Sequence, residues 1–214
     1  LRASLVLDIT PDIENYTVAS YIDSDNNGHI AKLQAAAVPL DPFGGLLAGS
    51  ALASMAQQDA NGFWSVTNDM PDPYQKARTW QVINNTKWTV NDSLTVRNIV
   101  SYAQLWTKTH TSLFGTQLVL PRGAFFAGIP GFVDPVPNLN IPFNFASIRH
   151  IPGGFSSNQA TFTEEFRLEG SADRLTYQTG AYYENSTPRS FIGSQSPTFI
   201  GCSNIDALIC TAPI

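Results

Sequence analysis

The sequence predicts an all-β chain, part of an antiparallel transmembrane β-barrel with about six strands here and long extracellular loops. Three observations predict it. Apolar and polar residues alternate with period two in three pairs of neighbouring stretches, as they do when successive strand side chains point to opposite faces. Within each pair the connection is a few turn residues, whereas the pairs are separated by long segments with no regular period. Charged residues make up only 14% of the 214, well under the roughly one quarter usual in soluble domains. Polarity comes instead from Asn, Gln, Ser and Thr, and mean hydropathy is −0.07. A secreted β-sandwich would share this composition, so composition alone does not separate the two.

Charge and hydropathy also limit function. The net charge of −5 and the lack of any Lys/Arg cluster argue against nucleic acid as a partner. No run of 18 apolar residues exists, so no transmembrane helix is expected. Barrel strands need only about ten alternating residues each, so the membrane stays open as a solvent. The chain opens in mid-strand at Leu1, without an initiator Met or signal peptide, and is expected to be an internal piece of something longer.

The first hairpin spans about 1–23. Leu1, Ala3, Leu5, Leu7 and Ile9 share one parity, Arg2, Ser4 and Asp8 the other, Thr10-Pro11-Asp12 forms the turn, and the returning strand, about Glu14 to Asp23, has less clean faces. A long loop follows, about 24–76. Within it Leu46 to Gln58 has a weak helical period, with Leu52 and Met55 on one face, and a short helix is allowed there. The second hairpin, about 78–106, turns at Asn91-Asp92-Ser93. Trp80, Val82, Trp88 and Val90 share a parity, as do Leu94 and Val96.

The segment at about 108–158 holds six of the fourteen prolines and seven of the thirteen phenylalanines. Such a length between strands of a compact domain usually marks a functional loop. The third hairpin, about 160–184, places Phe162, Phe166 and Leu168 against Thr163, Glu165 and Arg167. After the Gly170 to Arg174 turn, Leu175, Tyr177, Ala181 and Tyr183 oppose Thr176, Gln178 and Gly180. In the last loop, about 188–214, Cys202 and Cys210 have no His or Cys partner at metal spacing, so a disulfide closing this small loop is expected, the alternative being an isolated pair of buried thiols. The disulfide implies an oxidising compartment.

Short turns therefore alternate with long loops, the asymmetry of outer-membrane barrels. Six strands cannot close a barrel, since the smallest have about eight, so the edges must meet further strands or something else.

The third hairpin also resembles the barrel of TonB-dependent outer-membrane receptors. There a phrase like F-x-x-E-[FL]-R-L, a tight turn and a strand ending G-x-Y-Y recur. The matching residues are Phe162, Glu165, Phe166, Arg167 and Leu168, then Gly180, Tyr182 and Tyr183. Leu1 to Gly28 and Thr89 to Tyr102 look like two more hairpin pieces of the same family, so the resemblance touches about half of the chain. It implies a bacterial outer-membrane location, outer-membrane lipid around the barrel and uptake of a scarce small-molecule nutrient: a siderophore, vitamin or carbohydrate-like ligand. It also implies a plug domain and an inner-membrane energy complex as partners, and this chain shows neither the plug nor the box by which the plug is pulled.

On the barrel reading Glu165 and Arg167 face the lumen, where they contact a plug or substrate, or simply form an ion-pair ladder with neighbouring strands. An arginine at the midplane of the hydrocarbon costs about 2–4 kcal/mol, which holds the parity. Glu164 has the lipid-side parity and must lie near the interface or be turned inward by a bulge. Trp80, Trp88, Tyr102, Trp106, Tyr177 and Tyr183 suit aromatic girdles. Phe125, Phe126, Phe132, Phe143, Phe145 and Phe155 are the candidates for ligand capture; the alternative is that they pack on one another.

No catalytic residue, metal site or cofactor is expected. His29, His110 and His150 are scattered, no catalytic motif is present, and adjacent Glu164 and Glu165 face opposite ways on a strand. Two other functions fit the sequence less well: a secreted β-rich adhesive or self-assembling module, and a passive porin.

Overall fold

The computed structural model describes residues 1–29, 31–37, 46–66, 70–115, 117, 143–205 and 207–210. The described elements are β1 (Arg2–Thr10), β2 (Ile13–Asn26), α1 (Leu46–Ala60), β3 (Tyr74–Asn91), β4 (Leu94–Ser112), β5 (Phe143–His150), β6 (Ser157–Ala172), β7 (Leu175–Pro188), β8 (Ser194–Asn204) and β9 (Ile209–Cys210). They fall into two units. One comprises Leu1–Asp25, Lys76–Lys108 and Ile151–Gly193, the other Asn26–Gln75, Thr109–His150 and Ser194–Ile214.

The first unit is an antiparallel sheet in the order β1-β2-β3-β4-β6-β7. The β4/β6 register runs unbroken from Leu94↔Gly170 to Thr107↔Ser157, and β6/β7 from Gln159↔Pro188 to Ala172↔Leu175. In β1/β2 the register shifts between Asp8 and Thr10, next to the turn. All three tight turns lie at one end. Thr89 N donates to Asp12 O at 2.8 Å and Ser171 N to Ser93 O at 2.9 Å, so neighbouring hairpins are joined at their turns. Asp173 takes the left-handed conformation at φ 52°, which an aspartate in a two-residue turn tolerates. At the opposite end the chain leaves for its long connections.

The sheet does not close. Its edges, β1 and β7, are exposed at every residue. Among the described residues of this unit the only buried hydrophobic side chain is Ala160. A sheet this large with so small an interior leaves both faces uncovered.

The two faces differ as the alternation predicts. Register puts Phe162, Phe166 and Leu168 on one face with Tyr102, Val96, Ala181 and Thr179. The Trp80 ring packs on Tyr102 at 5.3 Å, and the Arg78 guanidinium lies 5.1 Å from the Trp106 ring. Even-numbered residues of β3 therefore belong to that face too. Asn15 Nδ2 donates to Thr86 Oγ1 at 2.8 Å and Asn84 Nδ2 to Thr17 Oγ1 at 2.8 Å, which brings in β2 and, through Leu5↔Thr17 and Leu7↔Asn15, β1. This face is mainly apolar; its polar members are that amide–hydroxyl cluster, Asn98, Glu164, Thr179, and, toward the loop end, Gln104, Asn158, Asn185, Thr187 and the charges.

In the second unit β5 pairs with the end of β4 from His110↔Arg149 to Ser112↔Ser147, and with β8 on its other side. A core of Met70, Phe145, Ile200 and Cys202 forms here, with Ile205 and Cys210 against it. The expected disulfide is present: Cys202 and Cys210 stand opposite each other on β8 and β9 and are bonded.

Several expectations need correction. The segments 108–158 and 188–214 are not simply loops: β4 continues to Ser112, and β5, β8 and β9 add three strands. Phe145 is fully buried on a strand, so it packs rather than presenting a ring to a ligand. The helix is present, but among its described side chains those buried are Ala48, Ala51 and Gln58, while Leu52 is exposed. No register shift occurs in β6, so nothing turns Glu164 inward.

Candidate functional site

The charged face of the first unit gathers the two residues that the sequence singles out. Strand alternation and the β4/β6/β7 register put Arg97, Glu165, Arg167, Glu169, Gln178 and Tyr182 on that face. Arg167 and Glu165 form a two-pronged pair along β6, with Nε to Oε1 and Nη2 to Oε2, the latter at 2.9 Å. Such forked geometry is specific to arginine and carboxylate. Arg97 stands directly opposite Arg167, a like-charge pairing that by itself is unfavourable. Glu169 offsets it, its Oε1 lying 3.5 Å from Arg97 Nε.

The result is an alternating ladder: positive Arg97 and Arg167 between negative Glu165 and Glu169. Both members of the Glu165–Arg167 pair keep about a third of their side chains exposed, at 31% and 34%. They can therefore exchange partners with a molecule or segment that meets this face.

Gly180 lies opposite Arg167, and a Cβ there would collide with the carbonyl of Phe166. Glycine at this point lets the backbones of β6 and β7 approach. Around the ladder the hydroxyls pair across strands. Ser101 and Thr163 are 2.7 Å apart, Thr161 and Ser186 2.9 Å, and Tyr182 Oη donates to Glu184 Oε2 at 2.7 Å. The face is thus a hydrogen-bonded, weakly charged surface. Sequence reading missed Arg97 and Glu169, although the alternation in TVRNIV marks Arg97 as belonging to the polar side. The register that brings it to Arg167 is not written locally.

The phenylalanine candidates separate. Phe125, Phe126 and Phe132 lie outside the described residues, and of Phe143 only its place at the start of β5 is described. Phe145 is in the core of the second unit. Phe155 belongs to the first unit, half-buried against Trp106 at 5.6 Å, with Lys108 Nζ 4.8 Å from its ring centre. Phe145 and Phe155 thus belong to different units. Two exposed rings that sequence reading passed over, Phe63 and Trp64, pack edge to face at 4.9 Å, with Lys32 donating to the Phe63 carbonyl at 2.9 Å.

His110 and His150, expected in loops, sit on strands β4 and β5. Nδ1 of His110 donates to Asp72 O at 2.8 Å, because a carbonyl can only accept, and its Nε2 faces Ser147 Oγ at 3.2 Å. Ser147 is wholly buried, and its one hydroxyl proton has two acceptors within reach inside the second unit, His110 Nε2 and, at 3.3 Å, Thr198 O. Desolvation holds the His110 imidazole below its ordinary value, opposed by its bond to the Asp72 carbonyl.

On the apolar face Glu164 Oε1 accepts from Asn98 Nδ2 at 3.2 Å, level with Tyr183 across the strand pair. Among the described residues no group of three or more metal-ligating side chains comes together. Comparison of the chain with protein-family models, curated proteins and solved structures gives no match.

Proposed function

We propose that the first unit is part of a lipid-embedded β-barrel of a bacterial outer-membrane receptor similar to the TonB-dependent receptors. On this reading the apolar face meets hydrocarbon and the face with the Glu165–Arg167 ladder lines the lumen. The observation that carries the proposal is the combination of one apolar and one charged face with three joined turns at a single end. A water-soluble sheet would cover its apolar face with a second layer; a barrel wall has no need of one.

Further support comes from the aromatic side chains. Trp88 and Tyr177 lie close to the turns, while Tyr21, Trp80, Tyr102 and Trp106 lie toward the loop end, as two interfacial girdles would. The exposed edges β1 and β7 are where further strands of the barrel would add. The lumenal ladder would meet a plug domain, and capture of a siderophore, vitamin or carbohydrate-like nutrient would fall to the segments beyond the loop end. Energy would come from the inner membrane.

The two edges also favour a second reading, a secreted module that assembles copy to copy by strand addition. One experiment separates them. The full-length protein, expressed in a Gram-negative host, is expected in the outer-membrane fraction, migrating faster on electrophoresis unheated than boiled. A protein that stays soluble as an assembly without detergent would select the secreted module and overturn the receptor. If it inserts but its uptake is unaffected by removing the inner-membrane energy complex, it is a passive porin.

A further inference from the structure

We propose that the loop end of the apolar face binds the phosphate of anionic lipid headgroups, with Lys108 and Arg189 supplying the charge. The proposal rests on the barrel reading and adds a ligand to it.

The placement of cations on that face is one-sided. Lys76, Arg78, Lys108 and Arg189 all sit at the end away from the turns. Toward the turns the same face carries Trp88, Val90, Val96, Leu168 and Tyr177, with no lysine or arginine. Bulk water gives no reason for such a division. A bilayer does, because its cations belong at headgroup level and its middle tolerates none.

Two of the four cations are already neutralised. Lys76 Nζ lies 3.0 Å from Asp25 Oδ2, and Arg78 Nη2 2.7 Å from Asp23 Oδ2. For Lys108 and Arg189 no carboxylate lies within ion-pair distance among the described residues. Aromatic groups hold them instead: Lys108 Nζ over the Phe155 ring at 4.8 Å, and Arg189 Nη2 donating to Tyr102 Oη at 2.9 Å. A ring or a phenol positions a cation without cancelling its charge. Glu164, the remaining carboxylate of this face, lies nearer the turns and is engaged by Asn98.

The local backbone is built to carry these groups. Phe155 N donates to Phe191 O and Gly193 N to Phe155 O, both at 3.0 Å, clipping the segment after β7 onto Phe155. Arg189 N donates to Asn158 O at 3.1 Å. Beside it Asn158 and Ala160 are buried, at 5% and 4% exposure, on a sheet otherwise open. The same clip turns Phe191 outward, 80% exposed. An outward phenylalanine beside two uncancelled cations matches the headgroup boundary, where rings reach the acyl chains and cations the phosphates. A free phosphate would require a convergent nest of donors, and this surface is open.

The test uses the full-length protein reconstituted into phosphatidylcholine bilayers containing phosphatidylglycerol. Lipids that stay bound on extraction are counted by native mass spectrometry. Phosphatidylglycerol is expected to be enriched, and Lys108→Gln with Arg189→Gln to cut the enrichment by about thirty-fold, about fivefold per cation. Lys87→Gln, on the opposite face, should leave it unchanged. Should the double variant not insert, raising salt on the unaltered protein gives the same reading, and a salt-insensitive preference overturns the proposal. Displacement of the lipid by excess inorganic phosphate would mean a free-anion site and would also overturn it. An inserted protein with no preference sinks the lipid site and leaves the barrel standing; a protein that never inserts sinks both.

Discussion

At Phe145 the ring is sealed from solvent against Met70, Ile200 and Cys202. Phe145→Ala should therefore destabilise the second unit by about 3–5 kcal/mol, seen as faster amide exchange in β5 and β8. A ligand-capturing ring in the same place would have cost affinity and little stability. His110 gives a second handle. Burial holds its imidazole below the usual value, opposed by the Asp72 carbonyl; Arg149 adds to the lowering and the Asp72 charge resists it, and the Tyr74 ring packs alongside. The folded unit then takes up a proton less readily than the unfolded chain. Its stability is full above the ordinary imidazole range, near pH 6.5, and falls as pH drops through that value toward the folded one. Amide protection in β5, taken relative to the intrinsic exchange rate at each pH, should fall over that window, and His110→Gln should flatten the dependence.

The strands of the first unit test the two faces directly. Phe166 is 43% exposed in the sheet. If it meets hydrocarbon, Phe166→Arg should cost about 2–4 kcal/mol in refolding into vesicles; if it meets water, the change should stay within about 0.5 kcal/mol. Thr163→Arg, on the charged face, serves as the control. At β8 and β9, Cys202→Ser removes a bond closing a short loop and should lower the stability of the second unit by about 2–3 kcal/mol. The same elements show what a sequence can carry. Five of the six strands are legible because they alternate along an open sheet, one side mainly apolar and the other polar; β2, whose faces are mixed, is legible from the turn that joins it to β1. β5 is not, because FNFASIRH buries Asn144 and Ser147 as fully as Phe145, and their hydrogen bonds to Cys202 N and Thr198 O erase the alternation. In β8, Pro197 and the register shift between Gln195 and Thr198 mask the strand in the same way. The Arg97–Glu169 contact is illegible for a different reason: it depends on a pairing across more than seventy residues of chain.

Across the whole chain, the two units are held in different ways. The second has an interior of its own, with a disulfide at its margin. The first has pairing, turns and side-chain ladders but almost no buried hydrocarbon, so its hydrophobic stabilisation has to come from whatever covers the apolar face. The joined turns bear on how such a sheet is reached. Hairpins between sequence neighbours close within microseconds, whereas contacts across long excursions arrive late. The main-chain bonds Thr89 to Asp12 and Ser171 to Ser93 fasten each ribbon to the next at the ends already formed. Assembly can thus start at a single rim and zip toward the other. Lesions near Asp12 or Ser93 should then slow acquisition of the sheet, while lesions near Trp106 or Phe155 should hasten its loss.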